Sequence, residues 1–172
     1  MGVRVVRDGN RSAATTTRRR LTSAQLATWR SLVDTTAELR RILGAQLLQE
    51  TGLSPADYQV LLPLREAEGR SLRSSELAAT IDWERSRLSH HLARMERRDL
   101  IRRDDCVTDN RGAEVSLTAA GAEAFRRATA PHTRAIKKNF ADALTPEQFD
   151  ALADILQALQ SHLRLSDPGE RS

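Results

Sequence analysis

The sequence predicts a mainly α-helical fold from its composition, its hydrophobic periodicity and one pair of closely spaced helices. The chain has 172 residues, of which 40% are hydrophobic and 29% charged, with only 8 glycines and 5 prolines. This composition, which is rich in Leu and Ala, is typical of an ordered helical protein. Two short helical patterns are separated by only a few residues, which is the spacing of a helix-turn-helix.

The first predicted helix is long and covers residues 21–50. Thr22 and Gln25 have the spacing of a capping box, and Gly52 is a typical residue after a helix end. Apolar residues recur between them, largely at helical intervals. They are Leu26, Trp29, Val33, Leu43 and Leu47.

A second helix is predicted directly after Ser54. Ser54 is a suitable N-cap, Pro55 occupies the first helical position, and Asp57 places an acid in the first turn. Pro63 lies inside this helix and cannot donate a hydrogen bond to the carbonyl of Gln59. We therefore expect a kink at Pro63.

The helix-turn-helix is predicted from residues 74–81 and 85–98, with a short turn between them. A segment dense in Asp, Asn, Arg and Gly follows, and β-branched residues flank it. This pattern indicates a small β-hairpin with its tip at residues 110–112. Together these elements predict a winged helix-turn-helix lobe over residues 54–117.

Two more helices are predicted in the C-terminal part, over residues 119–165. Thr118 can cap the first, which Pro131 interrupts, and Thr145 with Gln148 forms a second capping box. The last helix has the clearest apolar stripe in the sequence, consisting of Phe149, Leu152, Leu156, Leu159 and Leu163. Residues 166–172 are predicted to be a frayed tail.

The terminal helices carry more apolar surface than a small winged lobe can readily cover. We therefore interpret residues 21–50 and 119–165 as dimerisation helices that pair with a second copy of the chain. A symmetric homodimer is the natural arrangement. Its two winged lobes would read inverted half-sites about 34 Å apart.

The charge distribution points to an anionic partner. Residues 1–20 contain six arginines against one aspartate, and we interpret them as a disordered basic arm. Within the body, residues 84–103 contain seven arginines against three acids, although the body as a whole is nearly neutral. A local cluster of this kind is typical of a nucleic-acid-binding face.

The outward face of the predicted helix 85–98 explains how this charge would be used. Leu88, Leu92 and Met95 fall on one side of the helix, and the polar side chains fall on the other. Hydroxyls, an imidazole and guanidinium groups on an exposed helix can contact phosphates and base edges in the major groove. We expect Arg87 and His90 to contact bases. A solvated basic face without a ligand is the alternative.

Further DNA contacts are predicted at the wing and at the start of helix 74–81. Arg111 at the hairpin tip could enter the minor groove, while Asp109 would support the wing rather than contact phosphates. A simple tight turn is the alternative for this segment. Arg73, Ser74 and Ser75 could hold a phosphate.

Neither catalysis nor metal or cofactor binding is expected. The single cysteine, Cys106, follows two aspartates that disfavour its thiolate, and we interpret it as an inert strand residue. The four histidines, His90, His91, His132 and His162, do not have metal-ligand spacing with it. No nucleophile elbow or glycine-rich phosphate loop is present. We interpret Trp29 and Trp83 as core anchors.

The longest apolar stretch is a handful of residues near Val60, against roughly 18 needed to span a bilayer. With one cysteine and no apolar stretch of the signal-peptide type, the sequence predicts a cytoplasmic protein without membrane association.

Several short motifs, in this order and spacing, resemble the MarR family of bacterial transcription regulators. They are Gly52-Leu53-Ser54, Ser75-Glu76-Leu77-Ala78, Ser86-Arg87-Leu88-Ser89, Asp109-Asn-Arg111 and Leu117-Thr118-Ala-Ala-Gly121. The resemblance covers residues 21–163. Asp99 departs from it because members usually have Gly before the Leu-Ile strand, and Pro63 departs from it because it interrupts a normally regular helix. Asp tolerates left-handed backbone geometry, so the turn at Asp99 can survive at some energetic cost.

The resemblance implies a dimeric, sequence-specific regulator of double-stranded DNA, more often a repressor than an activator, that recognises a palindromic operator. It also implies a small anionic or phenolic ligand in a crevice between the dimerisation and DNA-binding lobes, without identifying that ligand or its residues. The expected DNA-binding residues are Arg73, Ser74, Arg85, Ser86, Arg87, Ser89, His90, Arg94 and Arg111. A non-enzymatic helical dimer that binds an acidic protein is the alternative function.

Overall fold

The computed structural model describes residues 20–105 and 113–166, and it confirms the mainly α winged helix-turn-helix fold. The helices are α1 (Ser23–Thr51), α2 (Pro55–Glu66), α3 (Ser74–Thr80), α4 (Arg85–Arg97), α5 (Ala119–Asn139) and α6 (Pro146–Ser166). The strands are β1 (Ser71–Arg73), β2 (Ile101–Asp105) and β3 (Ala113–Leu117). Short 3-10 turns lie at Glu68–Arg70 and Ala141–Ala143.

The chain divides within α1 into two compact units, with the boundary between Thr35 and Thr36. In the first unit, Thr22 and Gln25 form the predicted capping box, with backbone-to-side-chain distances of 2.9 and 3.1 Å. Trp29 is 59% exposed, so its interpretation as a core anchor is wrong. Residues 20–35 are all exposed, and the apolar stripe of this segment therefore has no buried position for an indole ring.

The second unit contains the hydrophobic core, which forms where α2, α3, α4 and the sheet meet. Apolar faces of these amphipathic elements supply the core, and Leu100 and Ile101 add the start of β2. Trp83, in the turn between α3 and α4, is 9% exposed, and its predicted core position is confirmed. The fully buried large side chains include Leu61, Leu64, Leu77, Leu88, Leu92, Met95 and Val115.

The small sheet has three antiparallel strands in the order β1-β3-β2. Leu72 of β1 and Arg103 of β2 both pair with Val115 of β3. Two of the strands agree with the predicted hairpin, but β1 was not expected. A three-residue strand has too few positions to show an alternating pattern, so only its pairing with β3 makes it extended.

Helix ends follow the predicted local chemistry. Ser54 and Asp57 form a reciprocal capping box at the start of α2, and Thr118 accepts a hydrogen bond from the N–H of Gly121 at the start of α5. Gly52, after α1, has a φ of 72°. Asp99 has a φ of 55°, which confirms that aspartate occupies the left-handed turn where glycine was expected.

Two prolines lie inside helices, and the structure departs from the prediction at one of them. Pro63 lies within α2, which ends soon afterwards at Glu66. Pro131 lies within a single helix, α5, so the predicted interruption there is wrong. Ala128 and Ala135 are buried on either side of Pro131, and this packing holds the helix together across the missing backbone hydrogen bond.

Helix α6 differs from the core helices because its apolar stripe is not covered within the described chain. Leu156 and Leu159 are 43% and 45% exposed, and Phe149 and Leu163 are also exposed. Leu152 is half-buried. Among the described helices, none is both long and apolar enough to cross a membrane.

Candidate nucleic-acid interface

Helix α4 has the two faces that the sequence predicts. Leu88, Leu92 and Met95 are at most 1% exposed and pack into the core. The opposite face consists of exposed polar side chains and one half-buried alanine; its residues are Ser86, Ser89, His90, Ala93, Arg94 and Arg97. The helix therefore presents hydroxyl, imidazole and guanidinium groups outward from a rigidly packed base.

The first turns of α3 and α4 share a groove of about 240 Å³ with the sheet. Ser74, Arg85 and Ser89 line it, so the structure brings these three predicted site residues together. Ser75, which was expected to hold a phosphate, lines the same groove. Hydroxyl groups beside a guanidinium are suited to bind phosphate oxygens.

Arg103 also lines this groove and was not among the predicted residues. Its Nε lies 2.9 Å from Glu96 Oε2, and its backbone N–H donates to Glu96 Oε1 at 3.1 Å. The hydrogen bond from Arg103 lowers the pKa of Glu96. The excess of arginines over residues 84–103 was the available signal, but it could not show which of them faces the groove.

Arg87 occupies a different position from the groove residues. Its guanidinium carbon lies 4.1 Å from the centre of the Trp83 ring, in a cation–π contact. The indole belongs to the turn before α4, and Arg87 lies in the first turn of that helix, so the contact closes the helix-turn-helix corner. The structure therefore places this predicted base-contact residue over the Trp83 ring, and both Arg87 and His90 are exposed.

Arg73 lies at the junction of β1 and α3. Its side chain is exposed, and its backbone N–H donates to Glu76 Oε2 at 3.1 Å, which caps the start of α3. Arg94 lies farther along α4 and donates through Nη2 to His91 Nδ1 at 2.8 Å. Arg111 and Asp109, predicted at the wing, lie outside the described residues, as does Cys106.

A buried polar cluster lies beneath α4 and connects it with α2. Asp57 is 2% exposed, and its two oxygens face His91 Nε2 at 3.1 Å and Arg98 Nη1 at 2.8 Å. Arg98 also donates to the carbonyl of Gly52 at 3.1 Å. The sequence analysis missed this cluster, although His91 falls beside Leu88, Leu92 and Met95 on the packed face of α4, which could have indicated a buried partner.

The ionisation of this cluster follows from its surroundings. Burial opposes the charge on Asp57, but hydrogen bonds from Arg98 and Ser54 outweigh it, so the pKa of Asp57 lies below its usual value. Burial lowers the pKa of His91; Asp57 opposes this shift, and the positive charges of Arg94 and Arg98 add to it. A negative Asp57 and a neutral His91 are therefore the stable pair near neutral pH.

A second cavity, of about 660 Å³, lies beside Trp83 between α2, α5 and residues 40–47 of α1. Its charged lining residues are Arg40, Arg87 and Asp82, which leave a net positive charge, and its rings are those of Tyr58, Trp83 and His132. His132 Nδ1 is buried and has no hydrogen-bond partner among the described residues. Burial lowers the pKa of His132. The lining can accommodate a small aromatic molecule with a negative charge.

The described residues contain no group of three or more His, Cys, Asp or Glu side chains that could hold a metal ion.

Comparison with solved structures decides the family. AbsC, a MarR family transcriptional regulator from Streptomyces coelicolor, is 36% identical to this chain; the match covers 85% of this chain and 98% of AbsC, with a TM-score of 0.75. The chain belongs to the MarR family. A sequence model of that family matches residues 51–112, which include α2 to β2.

Two further relatives are transcription regulators by name. Sco3205, a MarR family transcriptional regulator from Streptomyces coelicolor solved in complex with DNA, is 36% identical; the match covers 88% of this chain and 96% of that chain, with a TM-score of 0.77. The HTH-type transcriptional regulator PrsX of Escherichia coli is 25% identical over 119 residues, which are 69% of this chain and 71% of PrsX.

Membership in the MarR family confirms the predicted class of function. The protein is a DNA-binding transcription regulator of the winged-helix type and not an enzyme. Within this family, the exposed face of α4 and the groove beside it are the candidate nucleic-acid interface of the chain.

Proposed function

We propose that this MarR-family regulator is a homodimeric repressor that reads a palindromic operator through the outward face of α4 and is released by a small aromatic anion or phenol. The observation that carries the DNA-reading part is the exposed polar face of α4, which lies opposite a fully buried apolar face. Such a helix can enter the major groove without disturbing its own packing.

The relationship to Sco3205 supports this proposal, because that protein was solved in complex with DNA and is 36% identical to this chain. In the proposed complex, Ser86, Ser89 and His90 contact bases or nearby phosphates. Ser74 and Arg85 bind a phosphate at the groove between α3 and α4. Arg73 contributes a further phosphate contact.

Arg87 is proposed to contact a base edge by leaving its position over Trp83. A guanidinium that stacks on an indole at 4.1 Å is held by a contact worth about 0.5–2 kcal/mol, which a bidentate contact to guanine can replace. Arg111 and Asp109 keep their sequence-based roles at the wing as part of this proposal.

The homodimer is proposed from the uncovered stripe on α6. Leu156 and Leu159 lie close together on this stripe, and a second copy of the chain would bury both. A two-fold axis would then place two α4 helices on inverted half-sites, roughly 34 Å apart.

The ligand is proposed to bind the cavity beside Trp83. Arg40 and Arg87 would pair with a carboxylate or phenolate, while Tyr58 and His132 would contact its ring. Because Arg87 also belongs to α4, a ligand that pairs with it would withdraw that guanidinium from DNA. The protein would then leave the operator because the ligand and the DNA compete for the Arg87 side chain.

The DNA-reading proposal is tested by selecting bound duplexes from a random pool with the full-length protein. We expect an inverted repeat. Changing Arg87→Ala or His90→Ala should reduce discrimination at particular base pairs by about 1–3 kcal/mol per lost contact. Arg126→Ala, which removes the same charge from an exposed position on α5, is the control and should change little.

Two results would contradict the DNA-reading proposal. Uniform weakening on all sequences would make Arg87 and His90 phosphate contacts rather than base contacts. A pool without any enriched sequence, together with tight binding to an acidic protein, would favour the helical interaction dimer instead.

The ligand proposal is tested by titrating 2,4-dichlorophenol and benzoate into the protein–operator complex. We expect release at concentrations that also raise the melting temperature of the free protein. Arg40→Ala should weaken the ligand effect and leave operator affinity unchanged. Equal release from the wild type and the Arg40→Ala variant would exclude this cavity.

A further inference from the structure

Arg94, on the outward face of α4, is hydrogen-bonded to a buried residue of the same helix. Its Nη2 lies 2.8 Å from Nδ1 of His91, one turn earlier. Arg94 is exposed, whereas His91 is 6% exposed. A side chain directed towards solvent is therefore held from beneath by a group in the core.

The partners of His91 require one particular neutral form of its ring. A guanidinium has only donors, so Nδ1 must accept, and the ring proton then lies on Nε2. Nε2 lies 3.1 Å from Asp57 Oδ1, and the negative carboxylate favours a proton on that nitrogen. This tautomer lets Nδ1 accept from Arg94 and turns a positively polarised N–H towards Asp57, although the alignment of that second contact falls short of a hydrogen bond.

Asp57 is itself immobilised at the start of α2. Its Oδ2 accepts from the backbone N–H of Ser54 at 2.9 Å and from Arg98 Nη1 at 2.8 Å. The ring of His91 also meets Trp83 edge-on, with centroids 5.4 Å apart. The acceptor offered to Arg94 is therefore held in place by a carboxylate, a helix cap and an aromatic ring.

We propose that His91 is a positioning residue for DNA recognition, which holds the Arg94 side chain on the outward face of α4 so that its remaining N–H groups point to the DNA. This inference rests on the proposed function and adds a role for a residue that does not touch DNA. A free arginine has large rotamer freedom, and a side chain that is already oriented loses less of it on binding.

Protonation of His91 would remove this support. The doubly protonated ring has no acceptor at Nδ1 and places a positive charge 2.8 Å from the Arg94 guanidinium. The charged groups that face the ring are Asp57 from α2 and Arg94 and Arg98 from α4 and its C-cap; Arg87 lies over Trp83. Since burial lowers the pKa of His91, the change should occur below its ordinary value of 6.5.

The test is a double-mutant cycle on operator affinity that combines Arg94→Ala with three changes at His91. Asparagine keeps an acceptor near the position of Nδ1, glutamine keeps an N–H donor near Nε2 for Asp57, and leucine keeps neither. We expect H91Q and H91L to weaken binding roughly three- to tenfold and H91N to stay within about twofold of the wild type. In the Arg94→Ala background, all three should be equivalent.

Thermal unfolding measures the stability of each variant, and stoichiometric titration with operator DNA measures its binding-competent fraction. Together they separate a folding defect from a loss of recognition. H91Q retains the donor to Asp57 and is the informative variant if H91L does not fold. A loss of affinity that is the same with and without Arg94 would show a purely structural role and overturn the inference. An unchanged affinity of the Arg94→Ala single variant would overturn it as well.

A pH profile gives a second readout. Wild-type affinity should fall as the pH decreases below the ordinary pKa of histidine, beyond the change shown by H91N, because asparagine keeps the acceptor but cannot be protonated. Parallel profiles for the two proteins would contradict the inference. If the wild type selects no sequence at any pH, the proposed function itself fails; selective binding without coupling between residues 91 and 94 rejects only the role of His91.

Discussion

Helices α4 and α6 carry the same kind of apolar stripe but differ in what covers it. In α4, Leu88, Leu92 and Met95 are almost completely buried by other elements of the same chain. In α6, Leu156 and Leu159 remain 43% and 45% exposed. The periodicity of a sequence therefore shows that a helix has a face to bury, but it does not show which surface will cover it.

The difference has a functional meaning for a regulator that is proposed to bind a two-fold symmetric operator. The covered stripe of α4 keeps its polar face rigid and outward. The uncovered stripe of α6 supplies the surface that a second copy can bury. In the proposed dimer, DNA reading would depend on packing inside the chain, and the spacing of the two half-sites would depend on packing between chains.

The largest expected effect comes from placing charge on the α6 stripe. Leu156→Arg or Leu159→Arg would put an unpaired charge into the proposed interface, at a cost of about 5 kcal/mol, which is comparable with the whole stability of a typical domain. We expect monomers by analytical ultracentrifugation and a lower melting temperature. Gln157→Arg adds the same charge at an exposed polar position and is the control. A monomer with an unaltered melting temperature would refute the proposed link between folding and dimerisation.

The close packing inside the chain is tested at Gly121, in the first turn of α5. A Cβ atom there would lie 1.9 Å from the carbonyl oxygen of Leu100. Backbone must move to admit it, so Gly121→Ala should lower the free energy of unfolding by about 3 kcal/mol or more. At Gly69 a Cβ meets no atom within 4 Å, and Gly69→Ala should cost only about 1–2 kcal/mol for its left-handed backbone. Equal costs in urea denaturation would contradict the close packing at Gly121.

A smaller effect is expected from the Asp57–His91 cluster beneath α4. Asp57→Asn should lower the free energy of unfolding by about 1–3 kcal/mol at neutral pH, since it removes the charged acceptor for Arg98 and the negative charge beside His91. The folded-state pKa of Asp57 lies below the ordinary value of 3.8, so its contribution is present above that pH and is lost as the pH falls through the lowered pKa.

His91 also makes the protein less stable on acidification, but at higher pH than Asp57. Its folded-state pKa lies below 6.5, so the folded state is favoured above that pH, and the benefit is lost as the pH falls through the lowered value. Wild-type stability should therefore decrease in two stages on acidification. The later stage should be weaker in the Asp57→Asn variant. If stability depends on pH in the same way in both proteins, the cluster does not contribute to stability as proposed.

The smallest expected effect lies at Asp99, in the turn between α4 and β2. Its φ of 55° is a left-handed conformation that glycine adopts more readily. Asp99→Gly should raise the free energy of unfolding by about 0.5–1 kcal/mol without changing operator affinity. The comparison with Asp99→Ala, which should be destabilising, isolates the backbone effect. A stabilising alanine would contradict the proposed strain.

Local features of the fold were predictable because their causes lie within a few residues. The capping boxes at Thr22, Ser54 and Thr145 form as their spacing indicates. The inner and outer faces of α4 follow from a rotation of 100° per residue. Even the left-handed turn at Asp99 could be anticipated, because the tolerance of aspartate for that geometry is a property of the residue itself.

The candidate site was predictable only in part. Sequence spacing identified Ser74, Arg85 and Ser89, which meet at one groove, but it could not show that Arg87 stacks on Trp83 or that Arg103 joins the groove. Trp29 and Trp83 looked equivalent in sequence, yet only Trp83 is buried. A side chain with several nearby partners chooses among them by geometry that a linear pattern does not contain.

By itself, then, the sequence determined the helices, their caps, the polar face of α4 and the family resemblance, since each depends on residue types at short separations. Only the tertiary structure decided the pairing of β1 with β3, the buried contact of Asp57 with His91 and Arg98, and the cavity beside Trp83. These features join segments that are distant in the chain. Their formation depends on how whole elements pack, which is a collective property of the core rather than of any one segment.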